Sequence, residues 1–121
     1  MGYRSCVAIE CDRETYEKIL ALCVPNFVMP DKWGRVTYKY GDPNRAPWIL
    51  MWEDVKWIGY QDAFDELIAV DKVLKEGDCY HFLGVGEDGY VEEESTKKFE
   101  ENFDEFVWVE HSIGIFEYLK H

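Results

Sequence analysis

The sequence predicts an α+β fold, a single-domain sandwich of a mainly antiparallel sheet with two helices. Two features carry that prediction. Short stretches that are apolar on both alternating faces recur along the chain, as strands covered on both sides require. Between them fall apolar stripes at the spacing of amphipathic helices. With 121 residues, nearly half of them apolar and with five Trp, eight Tyr and seven Phe, the chain has the size of one domain and the material for one dense core.

Tyr3 to Cys11 is apolar or small on both faces and is expected to be a central strand. Asp12 is a good N-cap for a helix to about Cys23, in which Tyr16, Ile19, Leu20 and Cys23 share one face. Pro25 and Pro30 bracket a loop whose apolar members, Phe27, Val28, Met29 and Trp33, are expected to pack on the core. Gly34 to Tyr40 alternates, with Val36, Tyr38 and Tyr40 opposite Arg35, Thr37 and Lys39, the pattern of a half-solvated edge strand. Gly41 to Asn44 is turn chemistry. Trp48 to Trp52 is apolar on both faces and should be central.

Tyr60 to Lys75 carries the stripe Tyr60, Phe64, Leu67, Ile68 and Leu74 of a second helix, with Gly77 as its stop. Cys79 to Val85 is strand-like, Gly86 to Gly89 is a turn, and Tyr90 to Glu94 is the partner strand. Ser95 to Asp104 is charged and fits a loop or a short helix. Phe106 to Tyr118 returns to strand character with a bend at Gly114. The first six elements have the βαββαβ, ferredoxin-like order with first and third strands central, and the C-terminal strands extend it.

The formal charge is −12, which argues against direct binding of nucleic acid or of anionic membrane surfaces and favours basic partners. The charge is uneven. Between Glu87 and Glu110 there are ten acidic residues against Lys97 and Lys98, a net of −8. Cys6, Cys11, Cys23 and Cys79 form no Cys-x-x-Cys pair, and the start lacks a secretory pattern, so reduced thiols in cytoplasm are expected. No apolar run approaches the roughly 20 residues that span a bilayer.

Few residues suggest chemistry. Cys79 and His81, two apart on a strand, offer metal-binding atoms, with His111 as a third, but lack ligand spacing. A buried thiol and a hydrogen-bonded imidazole are the favoured interpretation. Glu53 and Asp54 place paired carboxylates at a strand end without a nucleophile beside them. Gly84-x-Gly86-x-x-Gly89 has the spacing of a dinucleotide fingerprint but precedes a polar strand, and reads as a turn. No catalytic residue, metal or cofactor is expected, and the chain is read as a non-enzyme.

The acidic stretch invites a sharper expectation. Held in rows, Glu92, Glu93, Glu94, Glu100, Glu101, Asp104 and Glu105 would imitate DNA phosphates and engage a basic channel. Such runs are more often simply solvated faces.

The opening Met1-Gly2-Tyr3-Arg4-Ser5, the segment Trp52-Glu53-Asp54-Val55-Lys56-Trp57, the later Gly84-Val85-Gly86-Glu87-Asp88 and His111-Ser112-Ile113 together resemble a family of small proteins encoded by bacteriophages and prophages. Cys6 departs from the acidic residue expected at its place, and the family brings no catalytic residue set. The resemblance implies a non-enzymatic role in the host cytoplasm, binding and blocking a host protein with a basic surface, of which a DNA mimic is one form. The acidic region would steer association, and Trp33, Trp57 and Tyr90 would anchor it as exposed aromatics. Alternatives are a small-molecule or nucleotide binder, for which Arg4, Arg35, Lys39 and Arg45 would have to converge, and a structural or accessory phage protein. A homodimer is compatible with each.

Overall fold

Local sequence sets the first elements. In a computed structural model, which describes residues 3–35, 43–60, 62–104, 107–109 and 115–117, β1 (Ser5–Cys11) ends at Asp12. The Asp12 carboxylate accepts the Thr15 N–H at 3.0 Å and so caps α1 (Arg13–Asn26). Pro25 lies inside the last turn of α1, so the helix runs one turn beyond its expected end. Then come β2 (Lys32–Arg35), a short 3-10 turn (Pro43–Arg45) and β3 (Trp48–Val55). Residues 36–40 of the expected edge strand lie outside the described residues.

The second helix, α2 (Asp65–Gly77), starts later than its apolar stripe suggests. Gly59 has φ +86°, and Tyr60 and Ala63 close two consecutive turns instead, donating to Trp57 O and Tyr60 O at 2.8 Å each. Its stop is not Gly77 but Asp78, which takes the left-handed position at φ 52°. Gly77 is required for another reason: a Cβ there would lie 2.7 Å from Thr15 Oγ1 of α1, so the bare backbone permits the helices to approach.

The chain continues through β4 (Tyr80–Gly86), β5 (Val91–Ser95), α3 (Lys97–Asn102), β6 (Val107–Val109) and β7 (Ile115–Glu117). The main sheet is antiparallel with order β2-β3-β1-β4-β5. Its first four strands have the ferredoxin-like arrangement, with β1 and β3 inside, and β5 extends it as the outer strand. The fold is therefore the expected α+β sandwich. Of the loop or short helix expected over Ser95 to Asp104, the structure has the helix: Thr96 caps α3 by accepting the Phe99 N–H at 3.3 Å, which makes three helices where the fold class counted two. The C-terminal strands differ from the expectation that they extend the sheet. Within the expected C-terminal strand, the described residues 107–109 and 115–117 form the antiparallel β6-β7 pair, separate from the main sheet; Gly114 lies outside the described residues.

The alternation of each central strand explains the layering. Val7, Ile9, Leu50, Trp52, Tyr80 and Phe82 face α1 and α2, where Ile19, Leu67, Val70 and Leu74 complete the core. The opposite face buries Ala8, Glu10, Ile49, Met51, His81, Leu83 and Val85. The ring of Phe99 from α3 stacks on His81 with centroids 6.0 Å apart, and β6 and β7 lie against the central strands β1 and β4. This two-sided burial is why β1, β3 and β4 read as continuous apolar runs. Among the described residues no helix is long and apolar enough to cross a membrane.

The 24–30 segment only partly packs inward. Phe27 sits edge-on to Trp52 and Trp57 at 5.9 and 5.5 Å, and Pro30 is buried, whereas Val28 and Met29 remain 65% and 43% exposed.

Candidate functional site

The acidic triplet of β5 does not form one row. Successive strand residues point to opposite faces, and the register of β5 against β4 sends Glu93 to one side and Glu92 and Glu94 to the other. Glu93 reaches His81, whose Nε2 lies 2.6 Å from its carboxylate, while Nδ1 lies 2.5 Å from that of Glu10. Glu10 and His81 are fully buried, and the Glu93 side chain is about half exposed at 51%. With both carboxylates ionised, a ring that bonds both must donate from both nitrogens. This is the hydrogen-bonded imidazole the sequence favours over a metal ligand; His111 lies outside the described residues, and among those described no group of His, Cys, Asp and Glu could hold a metal ion.

Glu94 turns toward α2 and meets Lys75, whose Nζ donates to it at 2.8 Å and to the Tyr80 hydroxyl at 2.8 Å. The Lys75 hydrogen bond holds the Glu94 carboxyl below its ordinary value, and that carboxylate with the Tyr80 hydroxyl raises the Lys75 ammonium. Asp104 is likewise engaged: its N–H donates to Arg45 O at 2.9 Å, and its carboxylate lies 3.6 Å from the guanidinium. Arg45 also donates to the carbonyls of Glu100 and Glu101 at 3.4 and 3.3 Å, covering the C-terminal end of α3. The side chains of Glu100 and Glu101 are exposed; Glu105 lies outside the described residues.

Glu92 lines a groove between α2 and β5. Its walls are Ile58, Gly59, Asp62, Ile68, Asp71, Tyr90 and Glu92, enclosing about 490 Å³. Ile68 and Tyr90 are 47% and 56% exposed, so apolar surface lies open between three carboxylates. A smaller recess shares Asp71 and Glu92 and is floored by Trp57, Leu67, Leu74 and Phe82.

Of the expected aromatic anchors, Tyr90 is exposed, and Trp33 lies on β2 opposite Leu50. Trp57 is corrected: at 3% exposure it belongs to the core, 5.0 Å from the Trp52 ring and 5.9 Å from Phe82. The cause is an irregularity between β1 and β3: Ser5 pairs with Val55 and Val7 with Trp52, so the single residue Cys6 opposes the two residues Glu53 and Asp54. Asp54 there has φ 54°, which turns Glu53 and Asp54 to solvent and returns Trp57 inward. Ser5 holds that return, its hydroxyl donating to Val55 O at 3.1 Å and accepting the Ile58 N–H at 3.4 Å. The paired carboxylates are thus part of a bulge, with Arg4 as their neighbour.

The glycine spacing at 84–89 is a strand and turn, not a phosphate loop. Gly89 has φ +88° and its N–H donates to Gly86 O at 2.9 Å, while a Cβ at Gly86 would collide with the Tyr3 ring. Arg4 and Arg45 stand beside opposite ends of β3, so the basic convergence needed for a nucleotide is not formed by them. The sequence puts Ile68 in the apolar stripe of the second helix and marks neither Asp62 nor Asp71 for a site; Ile68 is instead 47% exposed, and with Asp71 on α2 and Asp62 in the preceding turn it meets Tyr90 and Glu92 only through the fold. Glu10 is missed too, as the one acidic residue in an apolar strand; that position was itself a signal.

No protein-family model, curated protein or solved structure matches the chain.

Proposed function

We propose that this domain is a non-enzymatic protein-binding module that takes a partner with a basic surface on its β5–α2 side. One observation carries the proposal. The groove joins exposed Ile68 and Tyr90 to the carboxylates of Asp62, Asp71 and Glu92, supplying an apolar anchor within a rim that favours cations. The net charge of −12 adds long-range attraction to such a partner. The resemblance to phage-encoded proteins supports a role in blocking a host protein in the host cytoplasm. An apolar groove with acidic margins fits a basic protein segment better than it fits imitation of a regular row of phosphates.

Affinity capture from a bacterial lysate, washed at low and then high salt, tests the proposal. A stoichiometric basic protein should be retained at low salt, released at high salt, and held less by an Asp62→Asn, Asp71→Asn variant. Retention unchanged by those substitutions would remove the groove from the proposal. An empty capture from the appropriate host would remove the basic partner.

A further inference from the structure

We infer that the partner enters as an extended basic segment adding a strand to the outer edge of β5, with alternate side chains falling into the α2–β5 groove. This rests on the basic-partner proposal above and supplies its binding mode. The sheet order ends at β5. The Gly86 N–H donates to Tyr90 O at 2.7 Å and the Thr96 N–H to Tyr80 O at 3.0 Å, which fixes the alternation of the ladder. Residues 92 and 94 turn their backbone groups toward β4, and Val91, Glu93 and Ser95 turn theirs outward. Among the described residues nothing bonds those outward groups.

A strand added there would lie about 4.8 Å beyond β5. Its helix-facing side chains would enter the groove walled by Ile68 and Asp71 on α2 and by Tyr90 and Glu92 beside them. Apolar side chains would cover Ile68 and Tyr90, while Lys or Arg would meet the carboxylates. Charge also selects the occupant. Opposing a second β5 edge would set glutamates against glutamates, and two copies each carrying −12 repel. Strand addition uses main-chain bonds for affinity and alternate side-chain sites for selectivity.

The probe is an acetylated and amidated heptapeptide of alternating Lys and Val, compared with the same peptide N-methylated at alternate residues so that one edge cannot donate. Amide NMR of the labelled protein should show the first peptide shifting and protecting the amides of Val91, Glu93 and Ser95. Methylation of the facing edge should weaken binding at least about tenfold, as expected from losing several main-chain bonds. On the protein side, Val91→Pro removes one outward N–H without touching the ladder to β4 and should also weaken binding. Equal binding of the methylated peptide would overturn strand addition while leaving the basic partner intact. If neither peptide binds but lysate capture retains a basic protein, the strand mode alone falls; if both fail, the underlying proposal falls with it. Self-association of the protein, abolished by Val91→Pro, would give the edge to a second copy and overturn the inference.

Discussion

Replacing His81 by Leu should be among the most damaging single changes in this domain. The ring is fully buried and lies 2.5 Å from the equally buried carboxylate of Glu10 and 2.6 Å from that of Glu93. Leucine fills a similar volume, so a cavity contributes little. The cost arises because the buried Glu10 carboxyl loses the imidazole it bonds, and an ionised carboxylate there would be left with its desolvation uncompensated. Breaking a buried pair by removing one partner costs about 3–5 kcal/mol. Glu93, at 51% side-chain exposure, can turn to water and adds little. For 121 residues, an unfolding entropy of about 2.1 cal/mol/K per residue turns that cost into a fall in Tm of roughly 12–20 °C. Urea unfolding at pH 7, followed by tryptophan fluorescence and by circular dichroism, measures it directly. Substituting both partners, Glu10→Met with His81→Leu, should recover much of the loss, since neither buried charge then remains. A His81→Leu variant within about 1 kcal/mol of the parent, or a double variant no better than the single one, would refute the assignment of a charged pair to this site.

Trp52→Ala should cost about 3–5 kcal/mol in the same assay, because the ring is 1% exposed, packs on Phe27 and Trp57, and donates Nε1–H to Val28 O at 2.9 Å. Gly89→Ala should cost about 1–2 kcal/mol, since φ +88° disfavours a side chain at the β4–β5 turn. Glu94 should titrate below its ordinary value of 4.5 in carboxyl NMR. The Lys75 contact therefore contributes stability above that value which is lost as pH falls through the depressed one, and Lys75→Met should return the titration toward 4.5.

Strand and helix identities were legible because each central element satisfies two surfaces at once. Ile9 faces the helices while Ala8 and Glu10 face α3 and the β6-β7 pair, and this two-sided burial writes an apolar run into the sequence. The charged flanks of Trp57, by contrast, pointed outward, and only the left-handed Asp54 reverses the direction of the chain after it. Gly77 looked like a cap because glycine suits that role, yet its function is to let Thr15 approach, a contact between helices distant in sequence. The groove was least legible. Asp62 comes from a turn, Asp71 from α2 and Glu92 from β5, and no periodicity links such positions before the fold brings them together.

The same division changes how the acidic region must be probed. On sequence alone, neutralising Glu92, Glu93 and Glu94 together would test only charge. In the structure it also removes the Glu93–His81 and Glu94–Lys75 contacts, so a loss of binding would be mixed with a loss of stability. Glu100 and Glu101 have exposed side chains on α3, and Arg45 engages their backbone carbonyls, leaving the carboxylates outside that contact. Glu100→Gln with Glu101→Gln should therefore leave Tm within about 2 °C, a surface-scale effect. If the whole acidic side steers a basic partner, the pair should slow association severalfold at low salt, with dissociation little changed and the difference disappearing near 0.5 M salt, where the Debye length falls to about 4 Å. Surface plasmon resonance against the captured partner separates the two rates. An effect confined to dissociation would place α3 inside the contact, and no effect on either rate would confine recognition to the groove carboxylates Asp62, Asp71 and Glu92.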